Sequence, residues 1–145
     1  MVKVIDVFPD NAQSPGWKVD TGPGPAQYGK LLNGYQLPVA MEVRRGRYLK
    51  SFEKPEPLQP DVAMLWDIPL RDRDYVFRKG HRIMVQVQSS WFPLIDRNPQ
   101  KYVPSIYQAA DQDFVQATQR IYCTPAMPSH IVLPVIAGGR SPIAK

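Results

Sequence analysis

The sequence predicts an all-β protein, an antiparallel jelly-roll-like β-sandwich with long loops and at most a short helix. Three observations carry that expectation. Apolar residues recur with period two in several short stretches, the mark of strands with one buried face. Sixteen prolines and nine glycines in 145 residues weigh against helices, because a proline inside a helix costs about 3 kcal/mol. No stretch has the long 3.6-residue apolar periodicity of a packed helix, and short strands separated by turn signals imply an antiparallel sandwich. An immunoglobulin-like sandwich is the alternative, but the Cys-Trp-Cys spacing that would support it is absent.

The elements follow in order. Residues 2–8 are apolar on both faces apart from Lys3 and Asp6, which predicts a central strand with partners on both sides. Residues 10–30 are rich in Gly, Pro and Asn and read as a loop. Tyr35, Leu37, Val39, Met41 and Val43 share one face of a second strand, and Met64, Trp66, Ile68 and Leu70 one face of a third. Pro38 and Pro69 cannot donate to a ladder, so each predicts an edge strand or a bulge. Tyr75, Val76 and Phe77 are read as one arm of a hairpin turning at Lys79-Gly80. Its other arm is residues 81–90, with Ile83, Val85 and Val87 on one face and Arg82, Met84, Gln86 and Gln88 on the other. Gly80 supplies positive φ in that turn. Residues 54–61 and 92–114 are further loops, and 104–119 permits a helical turn or two with Ile106, Ala109, Ala110 and Phe114 on one side. Residues 120–123 and 131–136 are expected to form a final strand pair.

Composition narrows the function. Cys123 is the lone cysteine, so neither an intrachain disulfide nor a cysteine metal site can form within the chain. Apolar runs fall far short of the roughly twenty residues a membrane helix needs. The net charge is +5, and its tightest cluster is Arg44, Arg45, Arg47 and Lys50. Glu42 and Glu53 flank that cluster, which reads as a solvated strand end; neither a nucleic-acid nor a membrane partner is expected.

Nucleophilic catalysis needs a nucleophile in contact with a base and an orienting acid, often on a Gly-x-Ser-x-Gly elbow. None of the seven serines lies in such an elbow. His81 opens a strand with the parity of Ile83 and reads as a strand-end hydrogen bonder; His130 sits beside a serine it cannot face. Asp111 and Asp113 lack the rest of a calcium loop and read as solvated. No catalytic, cofactor or metal residue is therefore assigned, and no cofactor is expected.

Several segments, in one order along nearly the whole chain, resemble a known family. Val2-Lys3-Val4-Ile5-Asp6-Val7-Phe8-Pro9-Asp10 resembles the opening strand and turn of the C-terminal domain of X-Pro dipeptidyl-peptidase and cocaine esterase-like serine hydrolases. Phe77-Arg78-Lys79-Gly80-His81-Arg82-Ile83-Met84-Val85-Gln86-Val87-Gln88-Ser89-Ser90 is similar to its hairpin, and Phe92-Pro93-Leu94-Ile95-Asp96-Arg97-Asn98-Pro99 to the turn that follows. Ala117-Thr118-Gln119-Arg120-Ile121-Tyr122 and Pro128-Ser129-His130-Ile131-Val132-Leu133-Pro134 continue the pattern. Gly34-Tyr35-Gln36-Leu37, Arg44-Arg45-Gly46-Arg47-Tyr48, Ser51-Phe52-Glu53-Lys54-Pro55 and Asn98-Pro99-Gln100-Lys101-Tyr102-Val103-Pro104 resemble the α-amino-acid ester hydrolase and glutaryl-7-aminocephalosporanic acid acylase branch.

The resemblance implies a galactose-binding-like sandwich over residues 1–145, a non-catalytic domain of a larger periplasmic or secreted bacterial hydrolase. The triad belongs to an upstream α/β-hydrolase domain, the chain's implied partner. Family domains begin one or two strands before the segment matching Val2, so the chain is expected to lack its first strands and to form a homo-oligomer or take strands from another chain. Asp96 and Asn98 are expected to cap a tight turn, and Arg97 to reach a carboxylate. Trp91, Phe92, Asp96, Arg97, Asn98 and Tyr102 are the candidates for a cleft rim or domain interface. A carbohydrate-binding module, with Trp17, Trp66 and Trp91 as sugar platforms, is the alternative function.

Overall fold

The structure, a computed structural model, describes residues 1–12 and 32–136. The loop expected at 10–30 and the platform candidate Trp17 therefore lie largely or wholly outside the described residues. The regular elements among the described residues are three strands, β1 (Val2–Val7), β2 (Gln36–Glu42) and β3 (Arg82–Val87), with 3-10 turns at Gly46–Tyr48, Ile106–Gln108 and Asp111–Asp113. No described helix is long and apolar enough to cross a membrane.

The strands form one antiparallel sheet in the order β2-β1-β3. β1 is central, as its two-faced apolar pattern requires, and Val4, Ile5 and Val7 are buried. β2 is an edge strand among the described residues and carries the irregularity expected of Pro38: Val4 pairs with Ala40 but Ile5 with Pro38, so Val39 is the extra residue of a bulge. Phe8 N–H donates to the Tyr35 carbonyl (2.9 Å), so Tyr35 and Leu37 turn their backbone groups toward β1 and Pro38, opposite Ile5, has its nitrogen on the outward side where no N–H is needed.

Register assigns the faces, because residues directly opposite in an antiparallel pair share a face. Val2, Val4 and Asp6 lie with Val87, Val85 and Ile83 on one face. Lys3, Ile5 and Val7 lie with Gln86, Met84 and Arg82 on the other.

The turn before β3 is the one expected. His81 N–H donates to the Arg78 carbonyl (3.1 Å), and Gly80 takes φ +89°. The hairpin's other arm is not: residues 75–77 form no ladder, and β3 pairs with β1 instead. Residues 64–70 also form no ladder, although Met64, Ile68 and Leu70 are less exposed than Leu65, which keeps the predicted parity. The expected strand pair at 120–123 and 131–136 reduces to one isolated bridge, Thr124 with Met127. Just beyond that bridge the Ser129 hydroxyl donates to the Tyr122 carbonyl (2.6 Å), supplying by side chain a bond that a ladder would have made. Residues 104–119 yield the two 3-10 turns in place of a longer helix.

Candidate functional site

Two constellations of polar side chains stand out, one inside the sheet's packing and one on the loops beyond it. The first centres on Asp6, the lone charge in the buried part of β1 and 0% exposed. His81 Nδ1 lies 2.9 Å from both of its carboxylate oxygens, and the Tyr75 hydroxyl donates to Oδ2 at 2.5 Å. With the carboxylate ionised, Nδ1 carries the imidazole proton and donates it to Asp6. The ring is held from the side by Phe8, 4.5 Å between centroids, and Phe8 in turn meets Tyr35 edge-on at 5.8 Å. Burial, then the hydrogen bond to Asp6 and its charge, push the Tyr75 phenol up to about 12. The Gly80 turn sets the parity of His81, and that parity is Asp6's own face of the sheet. The reading of His81 as a strand-end hydrogen bonder holds, but its acidic partner was missed. A signal was present: one carboxylate in an otherwise apolar two-faced strand demands a partner, since an unpaired buried charge is costly.

The second constellation joins residues 44–58, 91–104 and 105–114. Gly46 opens a 3-10 turn where the chain passes under Leu58 and Trp66; an added Cβ would lie 2.5 Å from Leu58 Cδ1 and 3.1 Å from the Trp66 ring. The turn fans out the arginines. Arg44 lies over Phe52 (4.2 Å) and donates to the Leu49 carbonyl (3.0 Å). Arg47 lies over Tyr102 (4.7 Å), whose hydroxyl donates to the Pro55 carbonyl (3.4 Å). Arg45 reaches across to Asp96, Nη2 to Oδ2 at 3.3 Å, and Tyr107 donates to the same oxygen at 3.3 Å.

Each candidate residue has a definite place here. Asn98 caps its turn as expected, accepting from Gln100 N–H (3.2 Å), and its amide donates to the Ser89 carbonyl beyond β3 (3.2 Å). Gln100 takes φ +62° in that turn. Asp96 does not cap it, because its carboxylate is held by Arg45 and Tyr107. Arg97 reaches no carboxylate among the described residues; its guanidinium lies 4.3 Å over the Phe114 ring. Trp91 has Lys3 Nζ over its ring at 4.9 Å, so that face is occupied, and Trp66 packs on Gly46. Phe92, joined to Pro93 by a cis bond, is 67% exposed, and Tyr107 83%. The cluster read as a solvated strand end is thus a knot of loops, joined by arginines through contacts no local pattern announces.

Other candidate groups are accounted for locally. Lys101 donates to Asp113 Oδ1 (2.7 Å) and Ala110 N–H to Oδ2 (3.0 Å), which together hold the Asp113 carboxyl below its usual range. Ser129 is committed to Tyr122, not to His130.

The described residues thus carry one buried polar trio on the sheet and one arginine-joined gathering of loops beside it. Residues 2–132 match the model of the X-Pro dipeptidyl-peptidase C-terminal non-catalytic domain, and the chain belongs to that family. Among curated proteins it is similar to the cocaine esterase of Rhodococcus sp. (strain MB1 Bresler), 31% identical over 134 residues, which are 92% of this chain and 19% of the esterase. Among solved structures it is similar to the aminopeptidase from a marine sediment archaeon, Thaumarchaeota archaeon, at 43% identity and a TM-score of 0.63, covering 78% of this chain and 16% of that one. The chain thus spans less than a fifth of either relative.

Proposed function

We propose that the chain is a non-catalytic accessory domain that packs on the α/β-hydrolase domain of a serine hydrolase acting on acyl esters, amides or X-Pro peptides. Its loop platform shapes one wall of that enzyme's cleft. The observation that carries the reading is the family match over residues 2–132, joined to loops that bring Asp96 of the candidate rim to Arg45 and Tyr107, and Tyr102 to Arg47. Exposed aromatics beside arginines are the composition of interface hot spots. In this reading the three-stranded sheet is one layer of a jelly-roll-like sandwich, and residues 64–70 and 120–136, still alternating but without a ladder, belong to the second.

The test is a chimera in which this chain replaces the matching fifth of the cocaine esterase. Hydrolysis by the chimera, with kcat/KM altered by Phe92→Ser or Tyr102→Ala but not by Val132→Ser, an exposed position outside residues 44–58 and 91–114, is the expected result. Unchanged kinetics in both platform variants would remove the cleft-wall role. The 145-residue chain alone is expected to leave acyl esters and X-Pro peptides at the buffer rate. Activity that follows the protein peak and falls in His130→Ala or Ser129→Ala would overturn the non-catalytic reading.

A further inference from the structure

The loop gathering holds arginines that its own carboxylates do not meet. Asp96 pairs with Arg45, Glu56 with Lys50 (2.7 Å) and Asp113 with Lys101 (2.7 Å), which occupies most of the acids there. Of the arginines, Arg44, Arg47 and Arg97 remain, and no carboxylate among the described residues pairs with any of them. Each lies instead over an aromatic ring: Arg44 over Phe52, Arg47 over Tyr102 and Arg97 over Phe114. Arg44 makes one side-chain hydrogen bond, to the Leu49 carbonyl, and among the described residues the other two make none. The Nε atoms of Arg44 and Arg47 are moreover enclosed with no acceptor. Outside the described residues the sequence holds one acidic side chain, Asp20, too few for three guanidinium groups. Two of the three are tied to one loop, since Phe52 and Pro55 carry the contacts of Arg44 and of Tyr102, and Glu56 N–H donates to the Arg47 carbonyl (2.9 Å).

We infer that Arg44, Arg47 and Arg97 form a carboxylate-binding surface, and that its partner is an acidic stretch of the hydrolase domain, an assignment that rests on the accessory-domain reading above. Stacking on a ring fixes the plane of a guanidinium and leaves its N–H fork at the edge of that plane, the geometry that takes a carboxylate through two parallel bonds. An enclosed N–H without an acceptor and a cation without a counter-charge are both losses for the chain by itself. A carboxylate from outside supplies the missing charge. Glu53, Lys54 and Asp111 also lack an ion pair among the described residues, so the loops carry both signs and the stacked forks, not a large net charge, make the selection. A nucleic-acid phosphate backbone calls for a continuous basic stripe and is the poorer match. Contact through such groups weakens as salt is raised.

The experiment titrates the full chain with a hexaglutamate peptide, a run of carboxylates that stands in for the acidic stretch, and follows binding by calorimetry at low and at raised salt. Binding that salt weakens is expected. Arg47→Lys, which keeps the charge and loses the fork, is expected to weaken it about tenfold, and Arg44→Gln by as much. Arg82→Gln, which removes an exposed arginine of β3, is expected to leave it unchanged. Butanedione modification of the native chain needs no variant to fold: the peptide is expected to protect Arg44, Arg47 and Arg97 but not Arg82. No binding, equal weakening by Arg47→Lys and Arg82→Gln, equal protection of Arg82, or a hexathymidylate oligonucleotide bound as tightly as the peptide would each overturn the assignment. The chimera's kinetics read the cleft wall and the titration reads carboxylate binding without any hydrolase domain, so either can fail while the other succeeds.

Discussion

The same three kinds of group, a carboxylate, a nitrogen donor and a tyrosine hydroxyl, meet twice in this molecule, with different consequences. Asp6 with His81 and Tyr75 sits inside the packing; Asp96 with Arg45 and Tyr107 sits on the loop surface. At the first, the Asp6 carboxylate is fully enclosed, so a lost partner leaves it short of a bond that water does not replace. At the second, water replaces whatever is removed and salt screens the pair. The side chains of Arg45 and Asp96 are 41% and 45% exposed, against 9% and 0% for His81 and Asp6. Burial, and not the identity of the groups, decides which trio holds the fold together and which is free to serve a surface.

The comparison breaks most sharply at Asp6. Asp6→Ala strands the His81 donor and the Tyr75 hydroxyl and is expected to destabilise the chain by about 2–5 kcal/mol, one unmet hydrogen-bonding group at each of two side chains. Denaturant unfolding reads it, and a loss no larger than that at Asp96 would erase the distinction. Tyr75→Phe deletes one charge-assisted bond and is expected to cost about 1.5–3 kcal/mol.

Tyr75 also carries the expected pH dependence. Its phenol rises from 10 in the unfolded chain to about 12 in the folded one, so the folded state holds that proton more tightly. The stability this contributes is complete below pH 10 and is lost as pH climbs from 10 to about 12. Phenolate absorbance should show one late-titrating tyrosine that Tyr75→Phe removes; titration of every tyrosine near 10 would contradict the geometry.

Gly80→Val tests the turn that delivers His81. Nothing lies within 4 Å of the added Cβ, so the cost is backbone strain at φ +89°, about 1–2 kcal/mol. A midpoint that does not move would show that the turn relaxes freely. The smallest effect belongs to the surface trio: Asp96→Ala is expected to cost less than about 1 kcal/mol, shrinking further in high salt. A loss that salt does not reduce would mean that the platform is as sequestered as the core.

What the sequence by itself determined is what depends on a residue and its near neighbours. Gly80 permits a positive φ wherever it stands, and a turn follows. Pro38 cannot donate, and an edge strand with a bulge follows. Residues 2–8 are apolar on both faces and occupy the centre of the sheet, and Asn98 closes its own turn through Gln100. The family resemblance was legible for the same reason, since it rests on strings of adjacent residues.

What only the tertiary structure decided is which distant groups meet. His81 finds Asp6 across 75 positions, Arg45 finds Asp96 across 51, and Arg97 settles on a ring instead of a carboxylate. Alternation showed that Ile83, Val85 and Val87 share a face, but not that they stay half exposed or that β1, in place of residues 75–77, is β3's neighbour. Period two assigns side chains to faces. Which face is covered, and which edge is paired, depends on chain closure over many residues, a cost that no local pattern records.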